Sequence, residues 1–121
     1  MDRIDTHHHI VPAFYRDWLE KAGRTGGGLP IPQWSLDGAL SFMDAHDIAT
    51  AILSVAAPGA YVGNAIEARG MARALNAETA QTVANNPARF GFFATLCLPD
   101  VAASIEEARR AFDELKADGV C

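Results

Sequence analysis

Two histidines, His7 and His9, stand two residues apart in the run Asp5-Thr6-His7-His8-His9-Ile10. Side chains alternate along an extended strand, so His7 and His9 project to one face and His8 to the other. Two neutral imidazoles side by side on a rigid strand make half of a divalent-metal site, and zinc favours such nitrogen ligands. The spacing also fits one hydrogen-bonded core histidine with two surface neighbours. A tag remnant does not fit, because the three histidines lie inside an Ile-Asp-Thr…Ile-Val strand. By the same alternation Asp5 shares a face with His7. There it is a candidate for orienting a ligand imidazole, or a structural residue at the strand's start.

The pair needs elements to hold it, and hydrophobic periodicity indicates them. Arg3 to His9 reads as a short strand, and Val11 to Trp34 as a long irregular stretch in which Phe14 to Lys21 could form a short helix. Gly26-Gly27-Gly28-Leu29-Pro30-Ile31-Pro32 cannot continue that helix. Ser35 is placed as an N-cap for a helix over 36–46, with Leu36, Ala39, Leu40 and Met43 on one face. Asp47 follows at a position suited to a left-handed cap. Ile48 to Ala56 is a small-apolar run of the kind covered on both faces. Asn64 to Glu67 has capping-box spacing, and a helix continues from it to the Asn85-Asn86-Pro87 stop. Phe90 to Leu98 reads as a third strand. Asp100 then caps a helix whose buried face would carry Ile105, Ala108, Phe112 and Leu115. Gly119-Val120-Cys121 looks like the entry to a fourth strand. Alternating units of this kind imply a parallel α/β sheet with right-handed crossovers.

Composition narrows the functional classes. The 121 residues are 50% hydrophobic and 21% charged, which is one globular domain's worth of chain. A net charge of −5 with no basic cluster argues against nucleic acid or an anionic membrane as a partner. No apolar run approaches the roughly 20 residues of a membrane span, and no charged-then-apolar leader opens the chain. Cys97 and Cys121 lie far apart and form no CxxC pair, as expected of free thiols in a reducing cytoplasm. A phospho-receiver domain is rejected, because the first strand ends in histidines and the third in Leu98-Pro99. A nucleotide-binding turn is rejected because Gly26-Gly27-Gly28 lacks both a GK[ST] ending and a preceding strand.

Ile4-Asp5-Thr6-His7-His8-His9-Ile10-Val11-Pro12 resembles the opening of the amidohydrolase-related enzymes grouped around aminocarboxymuconate semialdehyde decarboxylase. Three later stretches are similar in the same order. Met43-Asp44 leads into Ile48…Ala51-Ile52-Leu53-Ser54, Asn76 lies in a helix that closes on Pro87-Ala88-Arg89-Phe90, and Thr95-Leu96…Leu98-Pro99-Asp100 follows. The resemblance implies a metal-dependent (β/α)8 barrel whose active site lies at the carboxyl ends of the strands. It implies a metal, Zn2+ or another divalent ion such as Mn2+, on His7 and His9, and a small-molecule substrate.

Three βα units and the start of a fourth strand correspond to the first third of such a barrel. Family members complete the site with a histidine and an aspartate from later strands, and with a further histidine for proton transfer. The resemblance therefore implies an N-terminal segment, inactive by itself, with an open sheet edge on which another chain or a second copy could pair. The long loop through Trp34 would roof the site, with Phe14, Tyr15 and Trp34 as its apolar candidates and the three glycines as its flexible part. The Pro58-Gly59-Ala60-Tyr61 turn would face the same cavity and offer Tyr61 to a substrate. Arg24 could hold a substrate carboxylate, whereas His46 would end a helix at the opposite face. For the intact enzyme the expected reaction is non-oxidative decarboxylation of a small carboxylated substrate. The alternatives are metal-dependent hydrolysis of a cyclic amide, ester or lactone, and a non-catalytic metal-binding or assembly role.

Overall fold

Strands and helices alternate along residues 3–121, the span that the computed structural model describes. They are β1 (Arg3–His9), α1 (Ala13–Lys21), α2 (Leu36–Ala45), β2 (Ile48–Ser54), α3 (Ala65–Asn85), β3 (Phe90–Ala94), α4 (Val101–Asp113) and β4 (Gly119–Val120). The strands form one sheet in the order β1-β2-β3-β4, each neighbour pair parallel. This is the arrangement expected of consecutive βα units.

Side-chain oxygens at the helix starts satisfy backbone donors that no carbonyl can reach. Ser35 Oγ accepts from the Gly38 N–H at 3.1 Å, Asn64 Oδ1 from Ile66 and Glu67, and Asp100 Oδ1 from Ala103. Asp47 has φ of 56° and turns the chain from α2 into β2 in the left-handed region. Below that corner Arg89 bonds Asp44 Oδ1 at 2.8 Å and the carbonyls of Ile48 and Ala49, fastening the start of β3 to the α2–β2 turn.

The main core lies on one side of the sheet, where Ala51, Leu53, Phe90, Phe92 and Ala94 meet Ala39 and Met43 of α2 and Ala111 of α4. The other side is less covered. Thr50 and Ile52 are only half-buried, so β2 is not covered on both faces as its composition suggested. A second cluster packs Tyr15 and Leu19 of α1 with Val11 and Leu75.

Two strand ends and one helix face differ from expectation. β2 ends at Ser54 rather than Ala56. β3 ends at Ala94 rather than Leu98, because the Thr95 N–H leaves the ladder to bond Asn76 Oδ1 at 2.7 Å. Asn76 Nδ2 in turn donates to the Thr95 carbonyl at 2.9 Å. On α4 the buried residues are Ala103, Ser104, Glu107 and Ala111, while Ile105 and Phe112 are 49% and 45% exposed. That face is chosen by a polar contact. Asn76 Nδ2 also donates to Glu107 Oε1 at 2.9 Å, and Arg73 and Arg110 flank the same carboxylate.

Candidate metal centre

His9 is the last residue of β1 and His7 lies two before it, at the carboxyl end of the strand. Their rings meet edge to face with centroids 4.7 Å apart, so both imidazoles stand on one side of the sheet. His9 Nδ1 lies 3.3 Å from the Ser54 carbonyl and 3.4 Å from Ser54 Oγ. A carbonyl only accepts, so Nδ1 carries the ring proton and Nε2 keeps its lone pair. This is the usual way a protein fixes the tautomer of a metal-binding histidine. The His7 ring has no hydrogen-bond partner among the described residues and is exposed. The two donors fit half of a divalent-cation site. Among the described residues, no group of three or more His, Cys, Asp or Glu side chains is placed to hold a metal ion.

The strand behind the pair is not a simple alternation. Asp5 pairs with Ala51 and His8 with Leu53, so β1 advances three residues while β2 advances two. That extra residue is a bulge, and it reverses the face of Asp5 relative to His7. Asp5 consequently does not share the His7 face. Its Oδ2 lies 3.0 Å from His8 Nδ1 and its Oδ1 accepts from the His7 backbone N–H at 3.0 Å. The His7 N–H and the neighbouring His8 ring together hold the Asp5 carboxyl below the usual carboxylate range. Asp5 also lines a depression against Phe42 of α2 and His46 just beyond that helix, on the helix side of the strand. Period-two reasoning could not reveal the bulge, since no residue in Asp5-Thr6-His7 is a glycine or proline that would mark one.

A cavity of ≈ 550 Å³ opens at His9. Its walls are Val11, Tyr15, the Ala56–Ala57 turn, and the segment from Gly26 through Pro32. The roof is therefore the glycine-rich turn. Gly26 and Leu29 bond each other in both directions, and Gly27 and Gly28 take φ of 62° and 90°. Positive φ at both central residues is the requirement of a tight type I′ turn, so these glycines define a shape rather than a flexible stretch. Gly26 packs close to the Ala57 carbonyl and to Ile31, where a Cβ would lie 3.6 Å and 3.5 Å from them.

The aromatic lid candidates occupy different places. Tyr15 is 2% exposed, lines the cavity, and donates its hydroxyl to the Gly59 carbonyl at 2.9 Å. Burial raises its pKa from 10.0 to about 12. Phe14 is partly exposed and is not among the lining residues, and Trp34 packs into both apolar clusters with its Nε1 buried and unpartnered. Arg24 donates to the Val62 carbonyl at 3.1 Å and lines a smaller pocket with Pro58, Tyr61 and Gly63. Arg24 and Tyr61 are thus brought together, but their pocket shares no wall residue with the His9 cavity. His46 stacks on Phe42 with centroids 4.2 Å apart, beyond the carboxyl end of α2.

Comparison with known proteins agrees with the fold. The family model described as Amidohydrolase matches residues 4–120. The chain is 42% identical to the decarboxylase yanB of Aspergillus niger, over 99% of this chain and 34% of that protein. It is 41% identical to the 6-methylsalicylic acid decarboxylase acuB of Aspergillus aculeatus, over 98% of this chain and 36% of that protein. Among solved structures, a dihydroxybenzoic acid decarboxylase from Polaromonas sp. JS666, with bound manganese and the inhibitor 2-nitroresorcinol, superposes with a TM-score of 0.79. It is 27% identical over 98% of this chain and 37% of that one. The chain spans about a third of the length of these relatives. With that family model matching nearly the whole chain, the chain belongs to the amidohydrolase family.

Proposed function

We propose that this chain supplies the first wall of the active site of a metal-dependent, non-oxidative decarboxylase acting on a small carboxylated aromatic ring. The observation that carries this reading is the His7–His9 pair, of which His9 lines a cavity walled by Val11, Tyr15, Leu29 and Ile31. A one-ring substrate fits such a space, and an apolar wall suits its hydrocarbon edge. The relatives named as decarboxylases of 6-methylsalicylic and dihydroxybenzoic acid support the same substrate class.

His7 and the Nε2 of His9 would hold a divalent cation, which supplies Lewis-acid polarisation of a substrate oxygen and stabilises negative charge as CO2 departs. Imidazole ligands suit zinc, and the Polaromonas relative holds manganese. The Ser54 carbonyl keeps the His9 lone pair aimed at that position. The Gly26–Leu29 turn and Ile31 exclude water from the ring's apolar edge. Tyr15 is spent on the Gly59 carbonyl and is held protonated by burial, so it shapes the cavity rather than moving a proton. With two ligands in this chain, we infer that the remaining ligands and the proton donor come from residues outside it. The free thiols of Cys97 and Cys121 are in keeping with a reducing cytoplasm, and no helix among the described residues is long and apolar enough to cross a membrane.

The test is CO2 release from 6-methylsalicylate and 2,6-dihydroxybenzoate by the product of the complete reading frame that encodes this chain, supplied with Mn2+ or Zn2+. Turnover abolished by a chelator and by His7→Ala is expected. Hydrolysis of a cyclic ester or amide with no CO2 from either acid would contradict the proposal.

A further inference from the structure

The bulge in β1 leaves a problem that the Asp5 carboxylate solves. An extra residue in one strand loses its place in the ladder, and its N–H needs another acceptor. Here the extra residue falls between Asp5 and His8, and the His7 N–H is taken by Asp5 Oδ1. The carboxylate's other oxygen meets His8 Nδ1 at 3.0 Å. His8 is itself held on the helix side, its ring 6.1 Å from that of Phe42 on α2. One side chain thus closes a loop from residue 5 to the backbone of residue 7 and the ring of residue 8.

The consequence for the histidine pair is one of direction. A one-residue slip in pairing sends every side chain of a strand to its opposite face. In the observed register His9 lies opposite Ser54, whose carbonyl receives its ring proton. Without the bulge, the alternation that places Asp5 toward α2 would carry His7 and His9 to the same side as Asp5. Within the described residues β1 pairs only with β2, so its register is held from one side. We propose that Asp5 and His8 form a register lock, in which the middle histidine and its carboxylate serve as positioning residues that hold His7 and His9 together on the face where His9 lines the cavity. His8 does not line the cavity, and its Nδ1 is committed to Asp5. Its role in a cation site is rooted in the metal reading above, but the lock itself is a property of the folded strand.

The experiment reads the lock with and without metal. In the 121-residue chain with labelled histidines, nuclear Overhauser contacts between the His7 and His9 ring protons report the pair's geometry, and a Zn2+ titration reports its affinity. Asp5→Asn keeps an oxygen for the His7 N–H, and it should retain the ring contacts and bind Zn2+ within about threefold of the parent. Asp5→Ala should lose the ring contacts and bind at least about 10-fold more weakly. Asp5→Ala with parent-like contacts and affinity overturns the lock. If Asp5→Ala does not fold, His8→Ala decides: lost ring contacts support the lock and retained contacts overturn it. If the parent shows the contacts and Asp5→Ala loses them, yet neither binds Zn2+, the lock stands and the metal reading fails.

Discussion

At the scale of single residues, the site is built by committing polar atoms so that only the useful ones stay free. Ser54 takes the Nδ1 proton of His9, and Gly59 takes the hydroxyl proton of Tyr15, which leaves His9 Nε2 as the unspent donor at the cavity wall. Tyr15 carries a pH signature. Its folded pKa of about 12 exceeds the ordinary 10.0, so the unfolded chain releases the proton first as pH rises. The stabilisation is fully present below pH 10.0 and is lost between 10.0 and about 12, a loss on the order of 2 kcal/mol. Tyr15→Phe should cost about 1 kcal/mol at neutral pH through the missing hydrogen bond. It should also flatten the alkaline fall, as followed by urea unfolding from pH 8 to 12. An equally steep fall in the variant would place the alkaline sensitivity elsewhere.

At the scale of elements, the caps and turns were legible because their chemistry is local. Ser35, Asn64 and Asp100 cap the helices they were expected to cap, and Asp47 adopts the left-handed conformation. What escaped is non-local. Helix α4 carries a large-apolar stripe at Val101, Ile105 and Phe112, and a second stripe of small residues with Glu107 roughly a third of a turn away. Apolar size alone selects the first stripe, but the second is buried, because Asn76 of α3 reaches Glu107 and Thr95 together. Phe112→Lys should therefore change the stability of this chain by no more than about 0.5 kcal/mol. Asn76→Ala, which leaves the buried Glu107 Oε1 without its donor and frees the end of β3, should cost about 3 kcal/mol. Chemical denaturation of the two variants checks the contrast, and a larger loss for Phe112→Lys would reverse the assignment of faces. Gly91 in β3 has a different constraint. A Cβ there would collide with the Asp118 carboxylate, which accepts the Phe92 N–H, and would lie 3.0 Å from Ile52. Gly91→Ala should cost about 1–3 kcal/mol by overpacking, measured in the same denaturation series.

At the scale of the whole molecule, four parallel strands and a helical layer present a histidine pair and an apolar cavity at one end, while the chain spans about a third of its relatives' length. The parallel order followed from the alternation of apolar strands with amphipathic helices, and the pair's common face from strand periodicity. The roof did not, because tight-turn glycines and flexible-loop glycines look alike in sequence until Gly26 and Leu29 are seen to pair. Nor did the separation of Arg24 and Tyr61 from His9, which depends on how the long β1–α2 connection folds back to the Val62 carbonyl. The most direct test of the central claim is a titration of Zn2+ into the chain with 15N-labelled histidine rings, read as the shift of each ring nitrogen. The account predicts that ring nitrogens of His7 and His9 shift together at the lowest metal concentration, while those of His8 and His46 stay in place. Shifts that begin at His46 or His8, or that reach all four rings at one concentration, would contradict it.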